Sequence, residues 1–162
     1  MEALNAVMVE GVEITGYAKL PDDAKTAMSV VAAADYELFY KEGYQPPASM
    51  EEWKNGLQQF FVQPQEVLIT KKTKKGEKTV DLKKLVYEFA VSGREGKPCF
   101  YLKLSTGSAD NLKPELVVAA LYEAMGFAYE EAAIQIHRCD VYAADAEGNG
   151  FISLMDMGEE IL

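Results

Sequence analysis

A lone histidine and the arginine beside it are the first residues that could take part in chemistry. His137 is the only histidine in the chain, and a histidine can act as a general base near neutral pH. The spacing of the sequence assigns no serine–histidine–acid or cysteine–histidine set around it. In a strand, His137 and Arg138 would point to opposite faces. The pattern therefore favours a structural histidine and an Arg138 that pairs with Asp140 or Asp81, with an anionic ligand of Arg138 as the alternative.

A polar loop between a predicted strand and a predicted helix is the best candidate for a ligand contact. Such a loop can direct several backbone N–H groups at one point and hold an anion. It lacks the glycine and lysine patterns of a P-loop or a dinucleotide site, so a structural loop with a helix cap is the favoured interpretation. The candidate contacts in the alternative are Ser105, Thr106, Gly107, Ser108, Asn111, Lys113, His137 and Arg138.

A cluster of lysines marks the tip of a predicted hairpin. The chain has a formal net charge of −10, which argues against indiscriminate binding of nucleic acid. An RNA contact could still use a local basic patch, whereas the simpler interpretation is a soluble, aggregation-resistant edge. No aromatic stacking motif accompanies the patch. Its members are Lys71, Lys72, Lys74, Lys75 and Lys78.

An acidic stretch near the end of the chain resembles a calcium-binding EF-hand loop. Oxygen-bearing side chains at Asp145, Glu147, Asn149 and Asp156 surround a suitably placed Gly150. An EF-hand needs a helix on both sides, however, and the residues upstream have a strand pattern. Position 12 is also Asp, not the longer Glu. A hairpin turn is therefore favoured, and we predict no metal site and no cofactor in this chain.

Cysteines and overall composition exclude several classes of protein. Cys99 and Cys139 make no disulfide framework and no metal clip, and both are expected to be buried thiols. No segment approaches the apolar length of a membrane span, and the first residues lack the features of a secretory signal. We therefore expect a cytoplasmic protein without a membrane partner.

Hydrophobic periodicity predicts the elements that position these candidates. Alternation with period two predicts strands, and the apolar phase of the last long strand switches near His137, which predicts a bulge. A capping box begins one helix at Ser49, and Pro114 begins another that Gly126 ends. The segments 24–34 and 82–91 are ambiguous between helix and strand. Strands are predicted at 12–17, 35–41, 67–73, 99–105, 134–142 and 151–154.

The order of these elements predicts an α+β fold. Two strand–helix–strand units in succession are typical of the ferredoxin-like or split βαβ arrangement, an antiparallel sheet with helices on one face and extra edge strands. Residues 1–162 are expected to form a single domain. Residues 1–33 would be a covering strand and loop region, 34–142 the βαββαβ core, and 143–162 a terminal hairpin and tail.

Several segments together resemble one family, the uncharacterised domain found fused or adjacent to bacterial radical-SAM proteins and often described as an Fe–S oxidoreductase. These are the segments 4–5, 9–14, 33–36, 80–82, 104–108, 111–115, 136–138 and 141–142. The most specific stretches have the sequences GSADNLKPELV and IHRCDVY. The resemblance implies that the chain is the back half of a larger domain and that its partner is a radical-SAM protein.

The resemblance does not imply radical chemistry in this chain, because the C-x-x-x-C-x-x-C motif that holds the iron–sulfur cluster is absent. Any Fe–S cluster and SAM would therefore be carried by the partner. The leading hypothesis is a non-catalytic accessory domain for substrate or partner recognition. The alternatives are an RNA-binding module that uses the lysine hairpin and, less favoured, a small enzyme that uses His137 and Arg138 near the 105–111 loop.

Overall fold

A computed structural model describes residues 1–73, 76–107, 111–148 and 150–161. Within these ranges the α-helices are α1 (Glu2–Asn5), α2 (Ala27–Val30), α3 (Met50–Leu57), α4 (Leu82–Leu85) and α5 (Pro114–Ala124). The strands are β1 (Ala18–Lys19), β2 (Val31–Tyr40), β3 (Leu68–Thr73), β4 (Gly76–Asp81), β5 (Val86–Arg94), β6 (Lys97–Ser105), β7 (Ile134–Ala144), β8 (Phe151–Ser153) and β9 (Glu159–Glu160).

Five strands form the main sheet, in the order β5-β6-β2-β7-β8, and every neighbouring pair is antiparallel. Two separate antiparallel pairs accompany it, the β3–β4 hairpin and the short β1–β9 pair. The fold is therefore α+β, with a five-stranded antiparallel sheet, two short strand pairs and few helices. No helix in the described ranges is long and apolar enough to cross a membrane.

Helices α3 and α5 cover one face of this sheet. Alternate residues of β2 and β6, among them Leu38, Phe100 and Leu102, are fully buried there. Trp53 from α3 lies on this face, with its ring in an edge-to-face contact with Phe100 at a centroid distance of 5.1 Å. Leu121 from α5 belongs to the same core. The alternation of β2 and β6 therefore leaves their other side chains on a face that we call the open face.

The bulge predicted in the last long strand is confirmed. Asp35 pairs with Asp140 in β7, but the next residue, Tyr36, pairs with Arg138. Cys139 is therefore an extra residue without a partner in β2, as in a β-bulge. The bulge shifts the side-chain phase of β7 by one residue, so that residues on both sides of it can face the same way.

The sheet curls toward its open face. Tyr87 follows the start of β5, and Phe151 begins β8 at the opposite edge, yet their ring centroids are 4.6 Å apart. In a flat sheet, strands spaced about 4.8 Å apart would place β5 and β8 roughly 19 Å from each other. The ring contact therefore requires strong curvature, and it makes the open face concave.

Some predicted elements differ from the observed ones. No strand forms at 12–17, because the side-chain amide of Asn5 bonds both backbone groups of Ile14, at 2.7 Å to its N–H and 3.0 Å to its carbonyl. The ambiguous segments each divide into a short helix followed by a strand, at α2–β2 and α4–β5. The capping box at Ser49 is confirmed, but the helix after it becomes a π-helical turn at Gln58–Val62.

Candidate functional site

A buried carboxylate lies at the centre of the open face. Asp35 in β2 is only 6% exposed, and it is the one buried charged residue in the part of the chain that the structure describes. Its oxygens accept hydrogen bonds from the hydroxyls of Tyr101 at 3.0 Å and Tyr142 at 3.1 Å, and from the backbone N–H of Asp140 at 2.8 Å. Three donors therefore compensate the cost of burying this charge.

The two tyrosines are held as hydrogen-bond donors. Burial, then the hydrogen bond to Asp35 and the negative charge of that residue, raise the pKa of Tyr142 to about 12. The same causes raise the pKa of Tyr101 above its usual value. Both phenols are therefore protonated at neutral pH, where they act as donors and not as bases.

An ammonium group lies over aromatic rings beside this carboxylate. Lys103 in β6 is the register partner of Asp35. Its Nζ lies 3.8 Å from the ring centroid of Tyr142 and 5.2 Å from that of Phe151. These are cation–π distances. The contact with Phe151 is possible because the curl brings β8 over the open face.

The same arrangement recurs further along the open face. The guanidinium of Arg94 in β5 lies 3.8 Å from the ring centroid of Phe39 in β2. It also forms an ion pair of 2.7 Å with Glu37, which is the register partner of His137. Cations stacked on aromatic rings, beside a carboxylate network that fixes their surroundings, can recognise a ligand or partner by shape and charge.

Comparison with known proteins assigns the chain to a family. Residues 1–114 match a family described as an uncharacterised protein conserved in bacteria (DUF2344). The chain belongs to this family. No curated protein and no solved structure matches it. The DUF2344 match includes Asp35, Tyr101 and Lys103, and it ends before Tyr142 and Phe151.

The residues proposed for an enzyme are not brought together. In this DUF2344 chain His137 and Arg138 are both exposed, and their register partners Glu37 and Tyr36 belong to opposite faces of the sheet. Ser105, which begins the polar loop, instead pairs with Ala33. Four residues of β2 separate the two register positions, or roughly 13 Å along the strand. The geometry therefore gives no shared pocket to His137 and the described residues of the loop.

The described residues of the candidate anion loop make contacts that support the fold. The backbone N–H of Thr106 donates to the carbonyl of Ala32. Gly107 has a φ of 144°, and a Cβ there would lie 2.5 Å from the carbonyl oxygen of Val31, so only glycine fits. Lys113 pairs with Glu115 at 3.6 Å. Ser108 lies outside the described residues.

The lysine hairpin approaches the same loop. The ammonium of Lys71 donates to the backbone carbonyl of Asn111 at 3.1 Å. Lys72 and Lys78 are exposed in the two strands of the hairpin. Lys74 and Lys75 lie outside the described residues. The hairpin therefore touches the segment that precedes α5, a contact that sequence spacing did not predict.

The EF-hand-like segment forms a turn after a strand. Upstream of Asp145 lies β7, and the backbone N–H of Asp145 donates to the carbonyl of Gly150 at 3.0 Å. Asp156 lies in a 3-10 turn, and Asn149 is outside the described residues. Glu147 is exposed. Among the described residues no group of three or more His, Cys, Asp or Glu side chains could hold a metal ion.

The prediction for the cysteines is right for one and wrong for the other. Cys99 is 2% exposed, and burial raises the pKa of its thiol. Cys139 is exposed. The reason is the bulge, which makes Cys139 the extra residue of β7, and that position has no register partner in β2.

The central residues of the site were not among the predicted site residues. A signal was present for Asp35, because the predicted strand placed Tyr36, Leu38 and Tyr40 on one face and thus Asp35 on the other. Asp35 and Tyr142 also lie within the segments 33–36 and 141–142 that carry the family resemblance. Nothing in the spacing linked either residue to Tyr101 or Lys103.

Proposed function

We propose that the chain is an accessory recognition domain of a radical-SAM system, and that it contacts a radical-SAM protein through the open face of its sheet. The observation that carries this proposal is the cluster of Asp35, Tyr101 and Tyr142 on a concave face, beside Lys103. Because both phenols donate to Asp35, the cluster fixes this part of the face, and the stacked cation Lys103 is the group that remains to contact a partner.

The chemistry of the face suits a protein partner. Tyrosine and arginine are enriched among the residues that dominate binding energy at protein interfaces. Arg94 stacked on Phe39 and Lys103 stacked on Tyr142 present such groups in fixed positions. Little side-chain entropy is then lost when a partner binds.

The radical-SAM part of the proposal rests on the resemblance of the sequence. The segments 33–36 and 141–142 contribute Asp35 and Tyr142 to the cluster, so two resembling segments that are distant in sequence belong to one site. In this proposal the partner carries the Fe–S cluster and SAM. The complex would form in the cytoplasm.

A finer description of the fold belongs to the same proposal. We propose that β2, β5, β6 and β7, with α3 and α5, form a ferredoxin-like core. The support is the order β5-β6-β2-β7 with antiparallel neighbours, and the position of α3 after β2 and of α5 between β6 and β7. The β3–β4 hairpin and β8 would be additions to that core.

The experiment is a pull-down of the full-length protein with the radical-SAM protein encoded beside it, with and without nuclease. Arg94→Glu is the test variant, and Arg138→Glu is its matched control. Both arginines are exposed and both changes reverse one charge, but only Arg94 takes part in the stacked contacts of the open face. Each variant is first checked for an unchanged melting temperature.

The proposal predicts nuclease-resistant recovery that Arg94→Glu reduces by about tenfold or more, whereas Arg138→Glu leaves it unchanged. Equal loss in both variants would exclude the open face as the contact surface. Recovery that disappears with nuclease would replace the proposal with RNA binding. Absence of any complex would remove the radical-SAM partner.

A further inference from the structure

A second surface lies on the other side of the molecule, between the hairpin and the last helix. Residues 68–70 of β3 form one wall of a groove of about 420 Å³. Leu116, Ala119, Ala120 and Glu123 of α5 form the other wall. Leu68 is 57% exposed, although it is a large apolar residue. Five of the seven residues that line the groove are therefore apolar, and the groove is open to solvent.

Helix α5 has more apolar surface than the sheet buries. Its inner side, which includes Val117, Val118 and Leu121, is fully buried in the core. Its groove side carries Leu116, Ala119 and Ala120, which are only half-buried. A helix at a protein surface normally presents polar residues opposite its buried side. The groove side of α5 therefore has the composition of a face that another element covers.

Lysines of the hairpin stand at one end of this groove. Lys71 and Lys72 continue β3 beyond the groove wall, and the ammonium of Lys71 reaches the carbonyl of Asn111 just before α5. This positive end contrasts with a chain whose formal net charge is −10. Charge complementarity therefore favours an occupant that carries acidic groups beside its apolar side.

We infer that the groove between β3 and α5 is a docking site for an acidic amphipathic helix of a partner protein. The apolar side of that helix would lie against Leu68, Leu116 and Ala120, and its acidic residues would approach Lys71 and Lys72. Grooves of this kind bind helices through apolar residues spaced three and four apart. The small side chains of Ala119 and Ala120 allow a helix to approach closely.

The groove favours a helix over RNA because of its walls. Single-stranded RNA is held by stacking of bases on aromatic rings along a positively charged track. The residues that line this groove include no aromatic side chain on which a base could stack. A lining of mostly apolar residues with lysines at one end instead matches a helix with one apolar and one acidic side.

The test measures binding of fluorescent peptides to the full-length protein by polarisation. The first probe is a helical peptide of about 18 residues with leucines on one side and glutamates elsewhere. A second peptide has lysines in place of the glutamates, and a labelled poly(U) RNA is the third probe. We expect saturable binding of the acidic peptide that weakens as salt rises, with at least tenfold weaker binding of the basic peptide and the RNA.

Two variants and two matched controls locate the binding. Ala120→Trp fills the groove, and Lys72→Glu reverses a charge at its end. Each should weaken binding of the acidic peptide by about tenfold. Ala132→Trp and Lys25→Glu make the same changes at exposed positions elsewhere, and they should leave the binding unchanged. Because Lys72 is exposed, its variant tests the proposal even if Ala120→Trp fails to fold.

Several outcomes would overturn the inference. The inference is wrong if the basic peptide binds as tightly as the acidic peptide, or if the RNA binds more tightly. It is also wrong if the acidic peptide does not bind, or if Lys72→Glu leaves its binding unchanged. The groove proposal and the open-face proposal can fail separately. Lys72→Glu should retain the radical-SAM protein in the pull-down, whereas Arg94→Glu should retain the acidic peptide.

Discussion

The two faces of the main sheet are built from the same strands but hold together in different ways. On the covered face Leu38, Phe100 and Leu102 are fully buried against helices, and non-directional burial of apolar surface stabilises them. On the open face Asp35 and Tyr101 are held by directional hydrogen bonds. The covered face therefore tolerates apolar exchange of similar size, whereas the open face depends on the identity of each polar group.

The covered face should show the largest effect on stability. Phe100→Ala removes a fully buried ring that contacts Trp53, and we expect a loss of about 3–5 kcal/mol in the free energy of unfolding. Denaturant unfolding followed by the fluorescence of Trp53, the only tryptophan, measures it. Phe39→Ala, on the half-buried open face, should lose only about 1 kcal/mol. Equal losses would contradict the difference between the faces.

The buried carboxylate should give the next largest effect. Asp35→Ala leaves the hydroxyls of Tyr101 and Tyr142 without their acceptor, and we expect a loss of about 2–3 kcal/mol. The same denaturant experiment measures it. Asp22→Ala, at an exposed aspartate, should change stability by less than about 0.5 kcal/mol. If Asp35→Ala were as mild as this control, the network would not stabilise the fold.

A smaller effect is expected from one phenol, and it should depend on pH. Tyr142→Phe removes one hydrogen bond to Asp35, which should cost about 1–2 kcal/mol at neutral pH. The folded-state pKa of Tyr142 is raised to about 12 from an ordinary value of 10.0. The stability linked to this shift is therefore fully present below pH 10.0 and is lost as the pH rises through about 12.

Unfolding measured at a series of alkaline pH values tests this sign. As the pH rises, the unfolding free energy should fall less in Tyr142→Phe than in the parent protein. Tyr101 should account for part of the fall that remains in this variant. Tyr17→Phe is the control at an exposed tyrosine, and its pH profile should follow the parent protein. A profile of Tyr142→Phe that also follows the parent would remove Tyr142 from the linkage.

The exposed ion pair of the open face should have the smallest effect. Arg94→Ala and Glu37→Ala separate a pair whose side chains are 43% and 38% exposed. Exposed pairs of this kind contribute about 0–1 kcal/mol, so a double-mutant cycle of thermal or denaturant unfolding should give a coupling in that range. A larger coupling would mean that the open face stabilises the fold as strongly as the covered face.

Local patterns in the sequence predicted the elements whose causes are local. The capping box at Ser49 predicted the start of α3, because the partner Glu52 is three residues away and the backbone N–H of Ser49 donates to its carboxylate at 2.7 Å. Gly126 was predicted to end α5, and it has the positive φ of 78° that this position requires. The switch of apolar phase within β7 predicted the bulge, because one extra residue moves the side chains that follow it to the other face.

The candidate site could not be predicted in this way. Tyr101 is 66 residues and Tyr142 is 107 residues from the carboxylate that they share. The contact of Lys71 with Asn111 likewise spans 40 residues. No periodicity connects residues at such separations, so the sequence pattern placed Asp35 on a face without showing what that face holds.

The sequence by itself determined the α+β class, the main strands and helix starts, and the match to the DUF2344 family, because these depend on side-chain periodicity, capping and short motifs. Only the tertiary structure decided the order of the strands and the curl that brings Tyr87 to Phe151. It also decided the burial of Asp35 and the exposure of Cys139. The physical reason is that strand pairing and curvature are set by packing over the whole sheet, and no local segment contains that information.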